Sequence, residues 1–294
     1  MELGIHNWMR SETIETTMRR VAALGYTQLE IAGTPEHYDT KQLRKLMQEH
    51  GLSCWGAVTL MLGDRNLLAR DEAQRGRSVQ YVKDVIKMVK ELDGHMVAVV
   101  PCTVGKIVPD GRPDEEWKWA VNALKEIYDY SEASGIRIGI EPINRFETYF
   151  INRADQALAL AEATGPNCGI CLDTFHMNIE EADMFEAIKK AKGKLAGFHV
   201  ADNNRMAPGM GNLNWRKIID TLKEINYNEV LSVEFCASLD RTPANPYPDS
   251  IDENPENLSA EQAKFLVDHG SASVTEEFYT MLTTQSFNTL SKLI

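Results

Sequence analysis

An α/β fold, a (β/α)8 TIM barrel with a C-terminal helical extension, is the class that the sequence predicts. Three observations predict it. Eight short β-prone runs recur along the chain, segments of helical periodicity separate them, and all eight units fit within about 250 residues, the usual span of such a barrel. An open doubly wound sheet is the alternative topology for the same alternation.

The elements follow in order. Predicted strands cover 3–6, 28–32, 53–58, 95–101, 136–141, 168–173, 195–200 and 230–235. Predicted helices cover roughly 11–24, 39–50, 75–92, 114–134, 154–164, 181–191 and 214–225, followed by a tail from about 256. Ser11, before Glu15, is the type of residue that caps a helix start. Gly25, Gly51 and Gly135 stand where a helix end needs a left-handed residue. Residues 237–256 are rich in Pro, Asp and Asn and are expected to form a loop, with one or two helices over 257–294. No linker or repeat interrupts the chain, so 1–294 is expected to form one domain, with 237–294 as its C-terminal loop and helices.

Composition narrows the function. The formal net charge is −12. That sign opposes phosphate backbones and predicts no nucleic-acid partner. The apolar runs are too short to span a bilayer, so no membrane partner is expected. Five scattered cysteines, an odd number, fit a reduced cytoplasmic protein better than a disulfide scaffold, and no leader-like segment precedes the first strand.

Barrel chemistry sits at the C-terminal ends of the strands. Glu141, Asp173, His199 and Glu234 close four consecutive predicted strands, with spacings of 32, 26 and 35 residues, about one strand–helix unit each. Polar residues end strands by chance, but four in a row after apolar runs point to a metal site. One imidazole with three carboxylates suits a divalent ion, Mn2+ first, with Mg2+ or Co2+ as alternatives. His6 and Trp8 end the first strand, and Glu30 nearly ends the second, all facing the same rim. Trp8 can wall a ligand or simply pack. Cys168 and Cys171 resemble a redox pair only in spacing, because alternation along a strand keeps them from one claw. Glu180, Glu181 and Asp183 are expected to form a helix start. Trp55 and Trp215 are expected to pack, and His37, His50, His95 and His269 show no convergent partner.

The motifs Glu141-Pro-Ile-Asn144-Arg145-Phe146-Glu147, Asp173-Thr-Phe-His176, His199-x-x-Asp202-x-Asn204-Arg205, Pro208-Gly-x-Gly211 and Glu234 resemble the ketose 3-epimerases (the D-tagatose, D-psicose and L-ribulose 3-epimerase group) of the xylose-isomerase-like barrels. The resemblance is dense over about 134–236 and is mainly architectural before that, with 28–33 as its best local match; 237–294 departs from the family, and Asp202 stands where the family often has Glu. It implies that Glu141, Asp173, His199 and Glu234 bind the metal. Glu147, His176 and Arg205 would contact the substrate, with His6 and Trp8 at the same rim. Glu141 and Glu234 would exchange protons on opposite faces of a ketose C3, through a cis-enediolate. Asn144, Arg145 and Asn204 are expected to brace loops. The resemblance also implies a small-molecule sugar substrate and a homo-oligomer.

Other reactions use the same arrangement: aldose–ketose isomerisation, inosose dehydration, or a lyase step on a 3-keto sugar that brings a second subunit. An endonuclease-IV-like barrel would want more histidine ligands and a basic face. A non-catalytic sugar-binding barrel would need no metal.

Overall fold

The computed structural model describes residues 1–251, 259, 260, 263, 264 and 273–294. Eight parallel strands close a barrel in chain order. They are β1 (Glu2–His6), β2 (Gln28–Ala32), β3 (Ser53–Val58), β4 (Met96–Val99), β5 (Arg137–Ile140), β6 (Gly169–Asp173), β7 (Leu195–Val200) and β8 (Val230–Val233). Closure comes from β8 pairing with β1, where Leu3 stands opposite Leu231 and Ile5 opposite Val233.

The helices lie between and after the strands. They are α1 (Ile14–Leu24), α2 (Thr40–Glu49), α3 (Glu72–Glu91), α4 (Pro113–Ser134), α5 (Ala154–Thr164), α6 (Thr174–Glu180), α7 (Met184–Lys190), α8 (Trp215–Glu224) and α9 (Glu276–Leu290). Leu3, Ile5, Leu29, Ile31, Leu231 and Val233 belong to one buried apolar cluster with helix residues such as Val21, Leu222 and Leu282. Alternation sends their strand neighbours His6, Glu30 and Glu234 the other way, into the barrel. Burying these apolar side chains stabilises the closed form by about 25 cal/mol per Å² of apolar surface.

Several boundaries moved from their sequence-based places. Thr13, not Ser11, caps α1 by accepting from the Thr16 N–H. β4 ends at Val99. Gly25 and Gly135 close α1 and α4 at φ of 100° and 72°. The seven-residue α6 was not anticipated, because it is too short to show a period and buries Thr174, His176, Met177 and Glu180. Consequently only Asp183 begins a helix, as the cap of α7, while Glu180 ends α6 and pairs with Arg145. Of the one or two helices expected over 257–294, α9 lies within the described residues; the rest of that expectation, and His269, lie mostly outside them.

Clamps tie the ends of the fold together. Glu12, on the β1–α1 loop, binds the guanidinium groups of Arg10 and Arg20, and Arg20 also reaches Glu276 at 3.1 Å. Tyr26 donates to the Thr283 carbonyl at 2.9 Å. The first and last helices are therefore held side by side.

Candidate metal and sugar site

The strand ends bring Glu141, Asp173, His199 and Glu234 together. One ligand atom from each lies within 4.8 Å of every other, and all four residues are buried. His199 Nδ1 is 3.0 Å from Glu141 Oε1 and 3.1 Å from Glu234 Oε2. Its other nitrogen, Nε2, is 3.1 Å from Glu30 Oε1 and 3.4 Å from Cys171 Sγ. An N–H on Nε2 donating to Glu30 leaves the Nδ1 lone pair facing the carboxylates, the side from which an ion would be held.

The electrostatics call for a cation. Three carboxylates crowd one imidazole at a dry strand end. Burial raises the pKa of Glu141, and burial together with the Glu234 charge raises that of Asp173 well above its ordinary value. Burial opposes ionisation of Glu234 too, but His6 and His199 hold its pKa low. Burial also opposes charge on His199, yet the Cys171 sulfur and the Glu30, Glu141 and Glu234 carboxylates raise its pKa well above the ordinary imidazole value. His6 Nδ1 and Nε2 and Glu30 Oε2 are buried without hydrogen-bond partners. A hard divalent ion fits this oxygen-rich donor set and would offset its excess negative charge.

Asp173 has a second task. Its Oδ1 accepts the Phe175 and His176 N–H groups at 2.6 and 3.0 Å, which starts α6 and aims His176 at the site. His6 sits below the rim, fully buried, with Nε2 3.7 Å from Glu30 Oε2 and 3.8 Å from Glu234 Oε1. It forms a further ligand-like group with His199 and Glu234.

Above the four carboxylate and imidazole groups lies a cavity of about 90 Å³. Glu141, Glu147, His176, Arg205 and Glu234 line its polar side, and Trp8 and Ile143 are among its apolar walls. Arg205 Nη1 donates to Glu147 Oε1 at 3.0 Å, and its guanidinium carbon lies 4.9 Å from the Phe175 ring centre. His176 has a pKa lowered to about 4 by burial and by the Arg205 charge, so it is a neutral imidazole near pH 7.

Loop chemistry holds Arg205 there. Arg205 itself has φ of 59°, a strained value for a side-chain-bearing residue. Asp202 accepts the N–H groups of Gly209 and Leu213 at 2.8 and 3.1 Å and the Trp215 indole N–H at 2.9 Å. A Cβ at Gly211 would stand 2.2 Å from Asp202 Oδ1, so glycine is required for this close approach. Trp215 therefore packs, as expected, and also donates. Arg145 binds Glu180 with 2.7–3.1 Å contacts, bracing the β5 and β6 loops against each other.

Sequence reasoning underweighted Glu30 and did not foresee Cys171 beside His199. The signal for Glu30 was an acid flanked by Leu29 and Ile31 on a strand, which alternation points inward. Cys171 lies two residues before Asp173 and so shares its face.

The family model described as xylose isomerase-like TIM barrel matches residues 18–269. The chain is 31% identical over 244 residues to an L-ribulose 3-epimerase of Mesorhizobium japonicum, covering 80% of this chain and 82% of that one. It is 32% identical over 234 residues to a D-psicose 3-epimerase of Enterocloster bolteae, covering 74% and 75%. A solved L-ribulose 3-epimerase superposes with a TM-score of 0.82 at 26% identity, covering 99% of this chain and 95% of the other.

Proposed function

The chain belongs to the xylose isomerase-like TIM barrel family and groups there with the ketose 3-epimerases, and from that premise we propose that it is a divalent-metal-dependent epimerase inverting C3 of a free ketose. The carrying observation is the buried Glu141–Asp173–His199–Glu234 cluster beneath a cavity lined by Glu147, His176 and Arg205.

A proton beside a ketone is too weakly acidic for an isolated carboxylate to remove quickly. Glu141, Asp173, His199 and Glu234 would hold the ion, Mn2+ before Mg2+ or Co2+, which when bound supplies the positive charge that stabilises negative charge developing on the sugar oxygens. Glu141 and Glu234 come from the β5 and β8 ends and both reach His199 Nδ1, at 3.0 and 3.1 Å. One takes the C3 proton and the other returns a proton to the opposite face of the cis-enediolate, so configuration inverts without rotating the sugar. Arg205 and His176 offer donors to the carbonyl end, Glu147 accepts from a hydroxyl, and Trp8 walls the apolar side.

The same reading takes 1–294 as one catalytic domain working in the cytoplasm without nucleic-acid or membrane partners. Among the described residues no helix is long and apolar enough to cross a membrane. It is also expected to self-associate. Phe146 is 74% and Val108 67% exposed, on loops joined by the Gly105 N–H to Glu147 carbonyl bond, and such apolar surface is what a second copy covers.

One observation favours a second reading, a lyase or isomerase step on a substituted 3-keto sugar. A cleft of about 630 Å³ shares Trp8, Leu60 and Leu62 with the reaction cavity and would take a substituent.

The deciding experiment incubates D-fructose, D-tagatose and L-ribulose with the metal-loaded chain in D₂O. Deuterium is expected at C3 of substrate and epimer, lost after chelation and restored by Mn2+. Absence of C3 exchange with every ketose overturns the epimerase reading.

A further inference from the structure

Asn144 was expected only to brace a loop. Its surroundings give it more. It is 2% exposed, on the loop after β5, and sits between two of the groups that line the cavity. The Nδ2 amide donates to Glu147 Oε1 at 2.8 Å and contacts His176 Nδ1 at 2.9 Å. The Asn144 backbone N–H also donates to His176 Nδ1, at 3.2 Å. Asn144 Oδ1 accepts the Phe146 N–H at 3.0 Å.

These four contacts leave no freedom in proton placement. The Phe146 backbone N–H can only donate, so the atom it meets must be the amide oxygen, and the amide NH₂ must face His176 and Glu147. The Asn144 backbone N–H can likewise only donate, so the ring atom it meets must be a bare nitrogen. A flipped ring would put a C–H there, which cannot accept. His176 Nδ1 is therefore unprotonated, and the neutral ring carries its proton on Nε2. The same amide group meets Glu147 Oε1 as a donor, so that oxygen accepts and carries no proton. Arg205 Nη1 meets the same Oε1. Both donors thus fall on one oxygen, and Oε2 keeps its lone pairs.

We propose that Asn144 is a positioning residue that fixes His176 as an Nε2–H hydrogen-bond donor and Glu147 as an acceptor, so that the pocket reads the substrate with a preset donor–donor–acceptor pattern of His176, Arg205 and Glu147. The ligand that matches is a polyol carrying a carbonyl, whose oxygen takes the two donors and whose neighbouring hydroxyl donates to Glu147. His176 then acts by donating through a hydrogen bond, not by removing a proton from carbon. The proposal rests on the epimerase reading for what the pattern serves, but the tautomer itself does not depend on it.

The test uses the full chain labelled with ¹⁵N histidine, together with steady-state kinetics. In the wild type, long-range ¹H–¹⁵N spectra are expected to show His176 protonated on Nε2. Asn144→Ala keeps the backbone donor, so the tautomer stays and kcat/KM falls about tenfold through the loosened Glu147. Asn144→Asp puts a carboxylate against Nδ1, so the proton pattern on His176 changes and kcat falls about 100-fold or more. His176→Gln, which can still present an N–H, retains measurable turnover, whereas His176→Leu does not. A wild-type ring protonated on Nδ1, or an Asn144→Asp variant with unchanged His176 signals, overturns the proposal whether or not a ketose is turned over. If the tautomer is as stated and no ketose reacts, the epimerase reading fails instead.

Discussion

At the scale of single residues, Glu141 and Glu234 share one neighbour and differ in everything else. Both lie about a hydrogen-bond length from His199 Nδ1, yet one pKa is raised and the other lowered. Glu141→Gln and Glu234→Gln keep an oxygen for the ion but remove the proton-transferring group. Each is expected to lower kcat about 10³-fold, in line with a lost acid or base. Isotope exchange starting separately from each epimer, alongside metal content, checks this; equal retention of metal with unchanged exchange would remove both from proton transfer. The four ligand-like residues were legible because each terminates a run of apolar residues, a pattern that survives without any knowledge of contacts. Asn144 and Cys171 were not. Their importance depends on which atoms they face, and the spacing of a lone amide or thiol carries no such information.

Elements carry the next level. The β7 loop turns on Asp202, which satisfies Gly209, Leu213 and the Trp215 indole at once and so holds Arg205 in its strained backbone state. Asp202→Ala leaves the buried Trp215 indole N–H and the part-buried Gly209 and Leu213 N–H groups without that acceptor. A loss of about 2–4 kcal/mol in stability is expected, at about 1–3 kcal/mol for each unmet group with partial rescue by water. KM for the sugar should rise more than kcat falls, and thermal melting with kinetics reads both. A variant as stable and as active as the wild type would show that the staple is dispensable. The eight strands and most helices could be placed from periodicity because they are long enough to repeat their pattern. The short α6 could not, since about two turns buried on most sides look like any apolar segment. Helix ends were legible where glycine adopts positive φ, and misplaced at Ser11 because Thr13 offers the same capping chemistry two residues on.

Across the whole molecule, the clamp of Glu12 with Arg10, Arg20 and Glu276 joins the first strand's loop to the last helix. The Glu12 side chain is only 5% exposed. Burial opposes its charge, but the Arg20 and Thr17 hydrogen bonds prevail and its folded-state pKa lies below 4.5. A depressed carboxylate means the unfolded chain binds the proton more readily. Its stabilising contribution is therefore complete above pH 4.5 and drains away as pH falls through the folded value. Glu12→Gln is expected to cost about 3 kcal/mol near neutrality, because it takes from the nearly buried Arg20 guanidinium its buried carboxylate and leaves it the exposed Glu276 as its charged partner, and to flatten the acid limb of the stability curve. Denaturant titrations from pH 7 to pH 3 measure it; parallel curves for variant and wild type would assign the acid sensitivity elsewhere.

The pairing of Leu3 with Leu231 also dictates an order of events during synthesis. A ribosome delivers β1 before the other seven strands and β8 after them, so the partner of the first strand is the last strand to exist. Until then the growing sheet of seven strands has two raw edges, each a row of unsatisfied N–H and C=O groups open to pairing with another chain. The ring's closure is thus also the end of the nascent protein's exposure to aggregation, and how fast translation reaches residues 230–233 sets how long that exposure lasts.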